Sequence, residues 1–399
     1  MTFVEITDLI AEVQSSLEAF QSNGQEELRL QAHEKVLRLA RALEKPRDAI
    51  LKLGFSPTVL MAVKVAHDMN IFPVLANATT PVSVEELAAS KPADPLLVER
   101  MMRLLVSHGF AEEPEPCKYL PTPLSKEMTQ RTSIGVIESL FLEFLPSIQK
   151  TPEYLQATGY KNPEDPLYAP LQYTNNIKED GFSWLCKDPA ALSRFNSFME
   201  GQRANRAFWG DWFPVREQIL NDPGVNTKRP LLVDIGGGRG HDLIAFKERF
   251  PDAQGKLILE DLPSVIDEVK GASDLESAGI ETVGYDFFQD VQPVKGARVY
   301  YFKYVLHDWS DEKAYIIFDH LKQAMERGYS KVLIEEYILP DSNARAVNGM
   351  TDMAVMVFCS GLERTRQRWL NLLQSAGLRV NKFWTRGGDA LGIIEAELP

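Results

Sequence analysis

The residues best suited to do chemistry are His307, Asp308 and Trp309, which follow directly on the apolar run 298–305. Imidazole is the side chain whose ordinary pKa lies nearest neutrality, so His307 is suited to take a proton from a hydroxyl. A loop histidine can equally stand there without a role. Other ionisable residues favour function: Lys303 precedes it, and Glu335 and Glu336 lie in the next apolar run, so ionisable groups cluster. A second concentration of special residues is Asp234-Ile-Gly-Gly-Gly-Arg-Gly240, where an apolar run breaks into glycines. Glycine there permits a tight turn and a close approach of backbone to a ligand.

These residues need elements to hold them. Residues 231–235 read as a buried parallel strand, and Leu243, Ile244, Phe246 and Phe250 mark a helix after the glycines. Strand, glycine turn and helix make half of a nucleotide-binding unit. No Gly-Lys-Ser/Thr follows, which excludes a P-loop, and Gly236-Gly-Gly-Arg-Gly240 lacks the last glycine of the dinucleotide fingerprint. The next strand, 256–261, ends in Glu260 and Asp261, placing a carboxylate where it can accept both hydroxyls of a ribose. A ribonucleoside without a required phosphate is the expected ligand. Further strands at 279–285, 298–305 and 331–339 alternate with helices at 311–326 and 364–376, and 378–383 with 391–396 reads as an antiparallel pair. The expectation is an α/β fold: a Rossmann-like doubly wound sheet with a C-terminal antiparallel hairpin. Its strand ends would gather Asp234 to Gly240, Asp261, Asp286, Lys303 to Asp308, and Glu335 or Glu336 on one rim.

The chain of 399 residues, 44% hydrophobic and 25% charged, has the composition of a soluble globular protein. Its net charge of -13 argues against binding through phosphate neutralisation. Cys117, Cys186 and Cys359 are too scattered for a disulfide framework, and no ligand cluster for a metal is evident, so a reducing cytoplasmic location is expected. No window approaches a membrane span in this reading, and no membrane partner is expected. Apolar spacing predicts helices at 4–20 and 26–43, to be covered by a partner subunit or by the rest of the chain. Ser56-Pro57 reads as a helix start, Ser83-Val-Glu-Glu86 as a capping box, and Asp94-Pro95 as another start, with Gly109 closing that helix. Residues 110–122 read as a small β-wing, completing a mainly helical winged-helix unit. DNA binding is disfavoured, since Glu112, Glu113 and Glu115 would repel phosphate. The expected domains are 1–125, a helical connector at 126–225 contributing to a substrate pocket, and 226–399. Residues 134–180 have no clear periodicity.

Several motifs together resemble a family. Val233-Asp-Ile-Gly-Gly-Gly-Arg-Gly240, Leu259-Glu-Asp-Leu-Pro263, Tyr285-Asp-Phe-Phe288, Phe302-Lys-Tyr-Val-Leu-His-Asp-Trp-Ser-Asp311, Glu336-Tyr-Ile-Leu-Pro340 and Glu363-Arg-Thr365 resemble S-adenosylmethionine-dependent O-methyltransferases of the plant caffeate and fungal secondary-metabolite type. The winged-helix segment is similar to that family's dimerisation domain, which implies a homodimer. By this resemblance Asp234, Gly236, Gly237 and Gly238 line the methionine end of S-adenosylmethionine, and Asp261, followed by Leu262, holds the ribose. Asp286 and Phe287 meet the adenine, and Lys303 lies near the methionine portion. His307 corresponds to the catalytic base, next to Asp308, with Glu336 and Glu363 as flanking acids, and no metal is required. The implied substrate is a hydroxylated aromatic or polyketide-like small molecule. Phe198, Met199 and Trp309 are pocket candidates by family position. The stripe Met350, Met353, Met356 and Phe358 reads as either core or pocket, Met353 being its candidate substrate contact. Some fungal proteins of this fold instead catalyse dehydrations and pericyclic ring closures. The retained His307, Glu336 and Glu363 favour methyl transfer.

Overall fold

Pro57 does not start a helix but lies inside one. In the computed structural model, which describes residues 3–204, 206–271, 273–386 and 391–399, α1 (Phe3–Asn23) and α2 (Glu26–Leu43) are followed by α3 (Pro46–Asp68). The extended Lys45 and Pro46 open α3. Proline lacks an N–H, which leaves the Leu53 carbonyl without its helical donor. The Ser56 hydroxyl supplies one, donating to Leu53 O at 2.8 Å. The Ser-Pro pair that looks like a start is thus accommodated mid-helix. The absence of any span-length window is also corrected: α3 is long and apolar enough, by length and composition, to cross a membrane. Residues 53–63 carry no charge, and Ile50, Leu51, Leu53 and Phe55 are all at least half exposed.

The chain divides into two compact units. The first holds residues 1–24, 31–157 and 173–206; the second holds 25–30, 158–172 and 207–399. Residues 126–225, expected as a connector, are therefore shared between them.

In the first unit the capping box is present: Ser83 accepts from Glu86 N at 3.3 Å while Glu86 accepts from Ser83 N at 2.8 Å. Asp94 caps the helix Pro95–Ser107, and Gly109 follows it at φ 77°. Strands β1 (Val82–Ser83), β2 (Ala111–Glu115) and β3 (Lys118–Pro121) form the wing in the order β1-β3-β2. Phe72, Leu75, Leu87, Val98, Met102 and Tyr119 pack into its core. The stretch without clear periodicity contains the helices Arg131–Ser139 and Leu145–Ala157, joined by a π-helical turn at Leu140–Phe144.

The second unit is the expected doubly wound sheet. β4 (Pro230–Ile235), β5 (Lys256–Asp261), β6 (Ile280–Gly284), β7 (Val299–Lys303), β8 (Lys331–Tyr337), β9 (Arg379–Thr385) and β10 (Leu391–Glu397) lie in the order β6-β5-β4-β7-β8-β10-β9. The first five in that order pair in parallel, and β10 runs antiparallel to both β8 and β9. One hydrophobic cluster gathers Ile317, Phe318, Trp369 and Leu372, and another gathers Trp209, Phe213, Leu243 and Phe246. The strand order reverses between β4 and β7, and ligands of such sheets bind at the carboxyl ends beside that reversal.

Candidate active site

At the end of β4 the chain turns through Gly236, Gly237 and Gly238 into the helix His241–Arg249. Gly237 is required sterically, since a Cβ there would lie 2.5 Å from Asp234 Oδ2 and 2.6 Å from a Leu259 methyl. Gly238 stands at φ 59°, and a Cβ on it would meet nothing within 4 Å, so its face of the turn is open. Gly236 N and Gly237 N donate to Glu260 O at 2.8 and 3.3 Å, which ties the turn to the end of β5. Asp261 adds a second tie: its carboxylate accepts from Gly238 N and Leu262 N, each at 2.8 Å. Burial pushes the Asp261 carboxyl above its usual range, and the two N–H donors oppose that shift.

Asp286 follows β6 and accepts from Phe288 N at 2.9 Å. Phe287 and Phe288 both meet the Trp309 ring edge-on, with centroids 6.0 and 4.5 Å away. Trp309, expected at the substrate, is thus grouped with the residues expected at the adenine. Lys303 ends β7 with its ammonium 2.7 Å from Asp242 Oδ1 and 3.6 Å from Glu335 Oε2. Glu335 also accepts from the Tyr301 hydroxyl.

Beyond Lys303, Tyr304 takes a left-handed backbone at φ 53° and the chain enters the 3-10 turn Leu306–Asp308. The Tyr304 ring lies 5.7 Å from the His307 ring. His307 is buried, with Nδ1 2.8 Å from Glu363 Oε1 and 3.8 Å from Glu336 Oε2, and Nε2 3.5 Å from Asp308 Oδ1. Glu336 Oε1 accepts from the backbone N–H groups of Val305, Leu306 and His307 at 3.0, 2.9 and 3.3 Å. Burial lowers the proton affinity of His307, but Glu336, Asp308 and Glu363 outweigh it and hold the imidazole well above its usual value. Burial pushes Glu336 up to about 7 and raises Asp308 as well. A neutral imidazole that donates Nδ1–H to Glu363 carries its lone pair on Nε2, where it can accept a proton.

The absence of a ligand cluster, expected from the sequence, is corrected on distance: single atoms of His307, Glu336 and Glu363 lie within 4.8 Å of one another. A 3-10 turn, strand β8 and the loop after the helix Ala346–Cys359 supply them, so sequence spacing hides the group. His67, Asp68 and Glu138 form a similar group in the first unit, where Lys64 bonds Asp68 at 2.5 Å. At His307 the 2.8 Å contact is a hydrogen bond and Glu336 Oε1 is taken by three N–H groups, an arrangement suited to proton transfer.

The remaining candidates are more dispersed. Phe198 and Met199 lie half-buried on the helix Pro189–Ala204 of the first unit, Phe198 edge-on to Phe144 and Phe195. Met353 belongs to the second unit, on the helix Ala346–Cys359, where Val347, Met350 and Met353 form an exposed apolar stripe at helical spacing. Sequence reasoning names Glu363 in the segment after that helix but not Gly361 or Asp352, which fix its place. A Cβ on Gly361 would lie 2.5 Å from His307 O, and Asp352 Oδ1 accepts from Glu363 N at 2.9 Å. Arg364, between Glu363 and Thr365, has no role in the sequence reading, because its complete burial shows only in the folded chain.

Residues 200–379 match the family model of the O-methyltransferase domain, and residues 51–131 match that of the O-methyltransferase dimerisation domain. The O-methyltransferase penC of Penicillium thymicola is 37% identical over 373 residues, covering 92% of this chain and 91% of the relative. LepI in complex with SAM shares the fold with a TM-score of 0.87 at 24% identity, covering 98% of this chain and 100% of that one. A pericyclic reaction enzyme does so at 0.86 with the same identity and coverage. OxaC in complex with sinefungin and meleagrin matches with a TM-score of 0.85 at 26% identity, covering all of both chains.

Proposed function

Since the chain belongs to the S-adenosylmethionine-dependent O-methyltransferase family, we propose that it methylates a hydroxyl of an aromatic or polyketide-like small molecule with His307 as the base. The observation that carries this reading is the buried His307 with Nδ1 2.8 Å from Glu363. S-adenosylmethionine supplies an electrophilic methyl group on a sulfonium. The residues at the strand ends fit it: the open face of Gly238 leaves room for backbone approach, and Asp261, fixed by two N–H donors, retains lone pairs for the ribose hydroxyls. Asp286 and Phe287 face the adenine, and Lys303 keeps donors beyond the one given to Asp242. Asp234, Gly236, Gly237 and Leu262 complete the cofactor cradle. Nε2 of His307 takes the hydroxyl proton as the oxygen becomes nucleophilic, and Glu363, Glu336 and Asp308 stabilise the imidazolium. Proton transfer of this kind contributes about 10²–10⁴-fold, with positioning supplying more. Met353, half exposed on its helix, provides apolar contact for the substrate.

The test is incubation with methyl-labelled cofactor and a panel of phenols and enols. Labelled product with stoichiometric S-adenosylhomocysteine supports transfer, whereas a cyclised or dehydrated product with the cofactor unconsumed sinks it. The likeness to a pericyclic enzyme at 24% identity is one of fold. Asp261→Ala should weaken S-adenosylhomocysteine binding about 10- to 100-fold in calorimetry, as a charge-assisted acceptor of about 1.5–3 kcal/mol is lost.

The proposal extends to a homodimer in a reducing cytoplasm. The dimerisation match supports the first, and Cys117, Cys186 and Cys359, none of them in a disulfide, suit the second. A second copy would cover the exposed Leu53 and Phe55 of α3. A Leu53→Glu/Phe55→Glu double variant should therefore run as a monomer in sedimentation; an unchanged dimer mass would reject this surface.

A further inference from the structure

The turn bearing His307 spans only Leu306–Asp308 in helical geometry, too short to fix its own orientation. Side chains and backbone from distant parts of the sequence satisfy its polar groups. Glu336 Oε1 takes the N–H groups of Val305, Leu306 and His307. On the acceptor side, Arg364 donates from one terminal nitrogen to Leu306 O at 2.8 Å and from the other to Trp309 O at 2.7 Å. Its Nε bonds Asp311 Oδ1 at 2.9 Å, and its guanidinium carbon lies 5.0 Å from the centre of the Trp369 ring. Leu362 N donates to His307 O at 2.7 Å, at the place where Gly361 allows the two chains to touch. The segment is itself anchored to the chain beyond β8, by Leu339 N to Arg364 O at 3.1 Å and Arg366 N to Leu339 O at 2.9 Å.

We propose that Arg364 is a positioning residue for methyl transfer, its guanidinium clamping the carbonyls of Leu306 and Trp309 so that His307 is held against Glu363. The argument rests on the reading of His307 as the base. It follows from geometry: Arg364 has no exposed surface, and its planar donor fork reaches both carbonyls and a carboxylate together. A lysine ammonium is a point charge on a flexible stem and cannot hold all three. The adjacent Glu363 meets the imidazole, so neighbouring residues of one short segment set both the ring's partner and the turn that presents the ring. Arg364 touches no reacting atom; it acts through the turn.

The test uses the full-length protein with isotope-labelled histidine rings and S-adenosylhomocysteine as the bound probe. The six histidines are told apart by the signal missing from His307→Ala. Arg364→Lys is expected to lower the His307 titration midpoint by about one pH unit, a tenfold loss of proton affinity, because the ring drifts from the carboxylates that raise it. Binding of S-adenosylhomocysteine should stay within about twofold, for a drop below about 0.5 kcal/mol. Asp311→Asn, which leaves the arginine in place without its carboxylate anchor, should move the midpoint the same way by less. It decides the question alone if Arg364→Lys does not fold. An unmoved midpoint in the folded variants overturns the clamp, even where melting temperature and cofactor affinity fall together, since that is the pattern of a purely structural arginine. Failure of the base reading shows separately: His307→Ala would then retain labelled-methyl transfer, whatever the titration of Arg364→Lys.

Discussion

Replacing His307 by alanine is expected to lower kcat by about 10²–10⁴-fold, the usual contribution of a positioned general base, while S-adenosylhomocysteine binding measured by calorimetry stays intact. Binding survives because the residues proposed to hold the nucleoside are at the ends of β4, β5 and β6, whereas His307 follows β7. Turnover near wild type would remove His307 from the mechanism. The pH profile gives a second check. The base works only as the neutral imidazole, and its neighbouring carboxylates hold its proton affinity well above the usual 6.5. The acid limb of kcat should therefore rise with increasing pH, with its midpoint above that value. Glu336, pushed up to about 7 by burial, titrates with it, so the limb belongs to the cluster. The linked stability has a definite sign. Stabilisation from the raised imidazole is fully present below its unfolded value and is lost as pH rises through its folded one. For Glu336 the folded state also binds its proton more tightly, so stability falls as pH rises from the usual glutamate range toward 7.

The second large effect is at Glu336, where two substitutions should separate two roles. Glu336→Ala deprives the N–H groups of Val305, Leu306 and His307 of their shared acceptor in a buried site. Each unsatisfied buried group costs about 1–3 kcal/mol, so the loss approaches the stability of a whole domain, about 5–15 kcal/mol. The variant should unfold or melt far below wild type in calorimetry. Glu336→Gln retains an oxygen for those donors and removes the charge. It should fold with a modest change in melting temperature, lose about 10- to 100-fold in kcat, equivalent to about 1.4–2.7 kcal/mol, and move the acid limb toward lower pH. Equal melting of the two variants would show that Oε1 does not organise the turn.

What was legible in the sequence was local. The apolar run into Gly236, the acid ending β5 and the alternation of later strands each lie within one element, and the sheet forms as they indicate. Boundaries drift where the backbone turns without a glycine: β7 was expected through Val305 but ends at Lys303, because Tyr304 leaves the strand in a left-handed conformation. The helical stretch after residue 131 escaped because the π-helical turn Leu140–Phe144 shifts the phase of its apolar positions. Ser56-Pro57 misled because the hydroxyl that can cap a helix start also repairs a proline within one. The contacts of Glu363, Gly361 and Arg364 with the His307 turn span more than fifty residues of chain, a relation no spacing rule encodes. Family position offers Trp309 as a substrate contact, and its packing beside Phe287 and Phe288 is a further relation that spacing does not show.

Tyr304 has a bearing on how the chain can change over generations. A bulky residue held in the left-handed region costs of order 1–3 kcal/mol, and glycine or asparagine would relieve much of that strain. Selection for heat tolerance alone would accordingly favour replacing it, and each such replacement would remove the ring that lies beside the imidazole. The position is therefore one where relief of backbone strain comes only with a change in the surroundings of the buried histidine.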